Sequence, residues 1–399
     1  MIFTLYHHNP KKLKTVITAL AVVLAMGVTL FAEQPLQLFF TGVLIGFVFI
    51  HFNFGFAGYW GSFWKNRETI GVRSHLWLLA FGTLIFFPAL TLLPENGIDA
   101  AGAVRPYGLN VLIGAALFGV GMAISSACSS GTIRLMGEFK LRYYWVFFWM
   151  VIGGTVAAAE SETWMNWETW GVFSLATDLH WSIGLLTNLS IIASLYIFFL
   201  WIEKRKHNHV PAIISFNKEG NYFNKLEVSP LLWATLFLVL LNLVILILSA
   251  YPWAISWVFP KLGILGIQFF ELPFEWDFWE YTASYESGIE KPWSQDNIIL
   301  TTLGMFTGIV AYHLLSKSFP IEKATEVKGV KSIKFTHLFT PIIAGSLMGF
   351  GAVISFGCNI GGFFSAIISG SLHGWLWLIS AFFALGITTL IISKFELKR

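Results

Sequence analysis

Gly119-Val-Gly-Met-Ala-Ile-Ser-Ser-Ala-Cys128-Ser-Ser-Gly131 returns 230 positions later as Gly349-Phe-Gly-Ala-Val-Ile-Ser-Phe-Gly-Cys358-Asn-Ile-Gly361. At that offset Gly119 falls on Gly349, Gly121 on Gly351, Ile124 on Ile354, Ser125 on Ser355 and Gly131 on Gly361, and further on Trp145 falls on Trp375. The chain has two cysteines, and each stands inside one copy. Glycine and small polar residues interrupt helices, yet both copies lie within apolar segments. Paired, interrupted spans at corresponding places in two halves point to a transporter's binding site.

Outward from these copies the chain is apolar. Hydrophobic residues make up 56% of its 399 positions and charged residues 12%, where a soluble domain carries about 25% charge. The fold class that follows is all-α, a polytopic membrane protein. The net charge of +3 on such a chain points to no nucleic-acid partner. Two cysteines exclude a disulfide framework and a thiolate zinc site, and no cofactor is expected.

Apolar runs long enough to cross a bilayer are expected near 15–32, 36–58, 76–93, 108–139, 141–160, 182–202, 230–250, 297–316, 337–370 and 373–392. The fourth and ninth are long because each contains a break at its cysteine. A stretch near 251–270, with Pro252, Pro260, Trp253 and Trp257, reads as re-entrant. Leu30 fits poorly with signal-peptide cleavage after Ala32, so 1–35 reads as an uncleaved N-terminal helix. The first half then covers 36–202 and the second 230–399. A 203–229 linker joins them, and an acidic external insertion spans about 263–296.

Basic residues cluster at Lys11–Lys14, Lys65–Arg73, Lys204–Lys225, Lys317–Lys334 and Lys394–Arg399, while Tyr143 to Glu203 contains no Lys or Arg. The positive-inside rule makes those five clusters, and both termini, cytoplasmic. The span carrying Cys128 then runs inward and the span carrying Cys358 outward. That relation is an inverted-topology repeat, whose broken spans are expected to meet near the midplane.

Unsatisfied backbone is tolerated in a bilayer only where protein or a wet cavity surrounds it. The helices that restart after Gly131 and Gly361 would aim their N–H groups at Cys128 and Cys358, and such ends attract anions. Ser125, Ser129, Ser130, Ser355 and Asn359 add neutral donors, and neither motif contains Asp or Glu. The site suits a small anion, and the soft, polarisable thiols suit a sulfur-containing one. Arg134 and His373 are secondary candidates, at the cytoplasmic and external ends. Set against this, Gly-rich stretches in membrane helices commonly mark close packing, and interfacial packing is the stronger reading of His373.

These residues resemble the YeeE/YedE family of sulfur transport proteins. The resemblance rests on the Gly-x-Gly-x3-Ser-x2-Cys-x2-Gly pattern around Cys128, on Gly357-Cys358-Asn359-Ile360-Gly361-Gly362 and on Ser369-Gly370-Ser371-Leu372-His373-Gly374-Trp375. It implies bacterial inner-membrane uptake of thiosulfate or a related small anion, with Cys128 and Cys358 contacting the ion in turn. It also implies an hourglass-like helical body with re-entrant helices. The family often carries a third cysteine in an early Phe-Cys-Phe-Ala-Gly run; here Gly55 takes its place in Phe54-Gly55-Phe56-Ala57-Gly58. Another sulfur or selenium species is an alternative substrate. A membrane thiol oxidoreductase or sulfurtransferase is the enzymatic alternative, disfavoured by the absence of a CxxC pair or catalytic base. A cytoplasmic sulfur-carrier protein is a compatible partner.

Overall fold

The computed structural model describes residues 33–208, 210–217, 225–284, 289, 291–316 and 336–396. The expected span at 15–32 and the basic clusters at Lys11–Lys14 and Lys317–Lys334 lie outside them. In chain order the helices of the first half are α1 (Gln34–His51), α2 (Ala57–Asn66), α3 (Ile70–Glu95), α4 (Leu109–Ser125), α5 (Ser129–Gly137), α6 (Leu141–Ala159), α7 (Ser161–Met165) and α8 (Trp181–His207). An antiparallel hairpin of β1 (Ile214–Asn217) and β2 (Lys225–Val228) follows. The second half holds α9 (Pro230–Ser249), α10 (Val258–Phe269), α11 (Glu280–Ser284), α12 (Asn297–Ser316) and α13 (Thr336–Ile354). A π-helical turn, Asn359–Ser365, runs into α14 (Ala366–Ile368), and α15 (Leu372–Glu396) closes the chain.

Seven of these helices, together with α4 and α5 taken as one stretch (Leu109–Gly137), are long and apolar enough to give eight crossings of a bilayer, or nine when the pair bent by 43° at residues 355–358 counts as one span. Every span expected within the described residues has its helix. Two boundaries differ. The segment expected at 36–58 ends as helix at His51, because Asn53 adopts a left-handed conformation (φ 50°) before α2 starts. The linker expected from 203 begins later, since α8 runs to His207, and it contains the hairpin. Large apolar side chains such as Ile183, Leu186, Ile197 and Phe198 stand exposed along α8, as a lipid-facing surface requires.

The packing has an internal correspondence. Exchanging α1 with α9, α2 with α10, α3 with α12, α4 with α13, α5 with the helix Asn359–Ile368, and α6 with α15 maps one set of contacts onto another. Thus α1 packs on α12 and α9 on α3; α4 packs on α15 and α13 on α6; α2 packs on α15 and α10 on α6. The correspondence reaches single residues. Gly119 lies against the Ala381 backbone, and its mate Gly349 against the Met150 backbone. The equivalent helices α4 and α13 cross antiparallel, with Gly114 against Gly351 and Ser355, and Gly121 against Ala344 and Met348. Glycine is needed here because a Cβ would collide with the facing main chain. Helix α8 packs on α3 and has no mate among the described residues.

Two buried ion pairs fasten the periphery. Arg73 of α3 reaches Glu203 of α8 at 3.3 Å and donates to the Pro211 carbonyl at 2.8 Å, tying the hairpin segment down. Lys261 of α10 meets Asp296 at 2.7 Å, while the other Asp296 oxygen accepts the Ile298 and Ile299 amides at the head of α12. That pair holds the acidic insertion, whose Tyr281 stacks on Trp257 and packs with Trp164, Val353 and Ile354.

Candidate functional site

Both spans break at a left-handed residue, and the second is bent there by 43°. Helix α4 stops at Ser125 and Ser126 turns left-handed (φ 62°); α13 stops at Ile354 and Phe356, the residue matching Ser126, turns left-handed (φ 55°). An L-residue in this region costs on the order of 1–2 kcal/mol, so local bonds must hold it. The Ser125 hydroxyl contacts the Gly121 and Ala127 carbonyls at 2.8 Å each. The Ser355 hydroxyl contacts the Gly351 and Gly357 carbonyls at 2.5 and 3.2 Å. These two serines, expected to face an anion, instead shape the breaks.

The last carbonyls are capped from other helices. Asn110 Nδ2 donates to the Ile354 carbonyl at 3.1 Å, and an Arg142 NH2 group donates to the matching Ile124 carbonyl at 3.2 Å. Tyr143 donates to the Ser125 carbonyl at 3.3 Å, and Trp377 Nε1 to the Gly357 carbonyl at 3.0 Å. Sequence reasoning missed Asn110, Arg142 and Trp377 in this role, because each partner carbonyl lies on a separate segment. A lone amide inside the apolar run beginning at Leu109 was the one signal available.

Cys128 and Cys358 are free thiols, both buried. The two restarted helices bring them together from opposite sides. The Ile360 and Gly361 amides, the Ser129 hydroxyl and the Cys128 thiol all neighbour the Cys358 thiol. The Cys128 sulfur accepts the Gly131 N–H at 3.4 Å and lies 3.3 Å from the Ser130 hydroxyl. Ser130 is therefore engaged. Ser129 sits beside Cys358, yet its hydroxyl finds no partner with hydrogen-bond geometry, and the same holds for the Thr132 hydroxyl and for both polar atoms of the Asn359 amide. All three residues are buried to 1% exposure or less. A buried polar atom left unpaired costs about 1–3 kcal/mol. Four of them in the segments that follow the two cysteines are a demand for a ligand or water. A Cβ added at Gly131 or Gly361 would meet nothing nearer than 3.5 Å, so these glycines border space where Gly119 and Gly349 serve packing.

The remaining candidates fall elsewhere. Gly55 faces open space, with nothing within 4 Å of an added Cβ. Its carbonyl lies 3.0 Å from His75 Nε2, and Trp60 Nε1 donates to His75 Nδ1 at 3.1 Å, which leaves the ring proton on Nε2 to bond Gly55. Arg134 is paired with Glu138 at 2.9 Å, and Glu138 also meets Lys140 at 3.2 Å. His373 is 1% exposed, with Nδ1 at 2.9 Å from the Ser371 hydroxyl and Nε2 without a partner. Full burial, with loop 99–108 packed over Ser369 and Ser371, replaces the interfacial setting expected for it.

A sequence model of the family described as Sulphur transport matches residues 51–388, a stretch that contains both breaks. No curated protein matches the chain.

Proposed function

This chain belongs to the Sulphur transport family, and from that premise we propose that its two broken helices form the passage of a small sulfur-containing anion, with Cys128 and Cys358 contacting the ion. The observation that carries the reading is the set of four orphaned polar atoms, on Ser129, Thr132 and Asn359, in the segments that restart at the two cysteines. The N-terminal ends of α5 and of the helix Asn359–Ile368 converge there, each presenting about half a positive charge. An anion answers both the charge and the orphaned donors, and a soft sulfur atom answers the thiols. Thiosulfate, which combines oxyanion and soft sulfur, fits this set best.

The antiparallel crossing of α4 with α13 and the exchangeable packing support two halves inverted in the membrane, with the site at their meeting point. The positive-inside rule supports cytoplasmic termini, and the family resemblance supports a bacterial inner membrane. The short helices α2 and α10 take the re-entrant positions.

The test is uptake of radiolabelled thiosulfate by sulfur-starved cells expressing the wild type, Cys128→Ala or Cys358→Ala. Uptake by the wild type that collapses in both variants supports the passage. Absence of wild-type uptake, with the protein shown to be in the membrane, removes thiosulfate as substrate.

A further inference from the structure

Arg142 is a charge that the transport reading leaves unused. It is half-buried at the start of α6. One NH2 group donates to the Ile124 carbonyl at 3.2 Å and to the Thr340 hydroxyl of α13 at 3.5 Å. Its Nε is buried without a partner. The guanidinium carbon lies 6.0 Å from the Tyr143 ring. No ion pair is formed by Arg142 among the described residues, since Glu138, close by in sequence, is taken by Arg134 and Lys140.

The matching half does the same structural job without charge. The Ile354 carbonyl, mate of Ile124, receives the neutral Asn110 amide, and the residue that matches Arg142 is Leu372. A helix-end carbonyl needs one N–H donor and nothing more. Using a half-buried guanidinium for it carries a partial desolvation penalty that no ion pair among the described residues compensates. An anion bound at Cys128, four positions along the chain from Ile124, would supply that counter-charge.

The charge balance then selects valence. Two helix ends contribute about half a charge each, Arg142 contributes one more, and neither motif holds an acid. The pocket totals about +2. A dianion neutralises it, whereas a monoanion leaves it one charge positive. We infer that Arg142 is the valence-determining residue of the site and makes it prefer divalent sulfur oxyanions over monoanions such as thiocyanate. The inference rests on the reading of the two breaks as the anion passage.

The experiment measures equilibrium binding of radiolabelled thiosulfate and radiolabelled thiocyanate to purified wild type, Arg142→Gln and Arg142→Lys in nanodiscs. Arg142→Gln removes the charge and Arg142→Lys keeps it, so the ratio of the two affinities, rather than either affinity alone, separates valence from a structural role. Wild type is expected to favour thiosulfate by about tenfold or more. In Arg142→Gln thiosulfate affinity falls by about that factor while thiocyanate changes by less than about threefold, and Arg142→Lys restores most of the preference. A Gln variant that keeps the wild-type ratio, or loses both ligands equally with an unchanged melting profile, overturns the inference. So does a wild type that binds both ions without preference, a result that needs no variant to fold. A wild type that binds neither ion overturns the transport reading itself, and the inference with it.

Discussion

The break at Cys128 and the break at Cys358 share a backbone plan and differ in how completely it is satisfied. At the first, α5 starts as a regular helix and the Cys128 sulfur accepts the Gly131 amide. At the second, the chain restarts as a wider π-helical turn, and both polar atoms of Asn359 stay unpaired. The left-handed residue also differs. Ser126 is exposed, whereas the Phe356 ring lies 5.9 Å from Trp164 in the apolar cluster that seats Tyr281 of the insertion. Matched serines and glycines set the shape of a break; the residues just after the cysteine set what it asks of a ligand. The second break asks for more, and one side of it is roofed by aromatic side chains.

The largest effect should come from the shared framework. Gly119→Leu and Gly349→Leu each drive a side chain into a facing backbone, so the cost exceeds the roughly 1–3 kcal/mol of ordinary overpacking. Both variants are expected to lose the monodisperse peak on size exclusion in detergent. Tolerance of either one breaks the equivalence of the halves. Next comes Asn359→Leu, which removes two orphaned atoms. It should raise the melting temperature, by the equivalent of about 1–3 kcal/mol, while abolishing uptake. Uptake at the wild-type rate would show that the amide serves something other than the ion.

Asn110→Leu uncaps Ile354 and should lower stability by about 1–3 kcal/mol, with a smaller loss expected from Arg142→Lys, which keeps a long side chain ending in an N–H donor. Thermal unfolding of the two variants side by side checks this. The smallest effect concerns the left-handed residues. Ser126→Gly should stabilise by about 1 kcal/mol. Phe356→Gly gains the same relief and loses the ring contact with Trp164, so its net change falls at or below zero. A clear gain from Phe356→Gly would mean that the aromatic roof does not hold the break.

Much of this was legible in the sequence because it is periodic or repeated. The apolar segments marked the spans, and two cysteines at one offset marked the breaks. What escaped were choices made in three dimensions. A serine two or three residues before a cysteine can face a ligand or its own main chain, and Ser125 and Ser355 take the second course. The caps escaped because Asn110 lies far in sequence from Ile354 and Arg142 from Ile124. The burial of His373 escaped because it depends on loop 99–108 folding over Ser369 and Ser371. The hairpin after α8 escaped because its strands, Ile214–Asn217 and Lys225–Val228, are only four residues each.

Neither motif holds a carboxylate, and the one cation at the breaks, Arg142, is fastened to a helix end. No acidic group in either motif would carry a proton with the ion, so in this reading it crosses as bare charge. Against an interior-negative potential of about 100 mV, each negative charge moved inward works against about 2.3 kcal/mol. For a dianion the sum corresponds to an outside-to-inside concentration ratio on the order of a thousandfold merely to hold even. Such a passage accumulates nothing by itself. It delivers material only as fast as reactions at its inner mouth remove it, and the cell's appetite for sulfur, rather than the membrane voltage, becomes the motor.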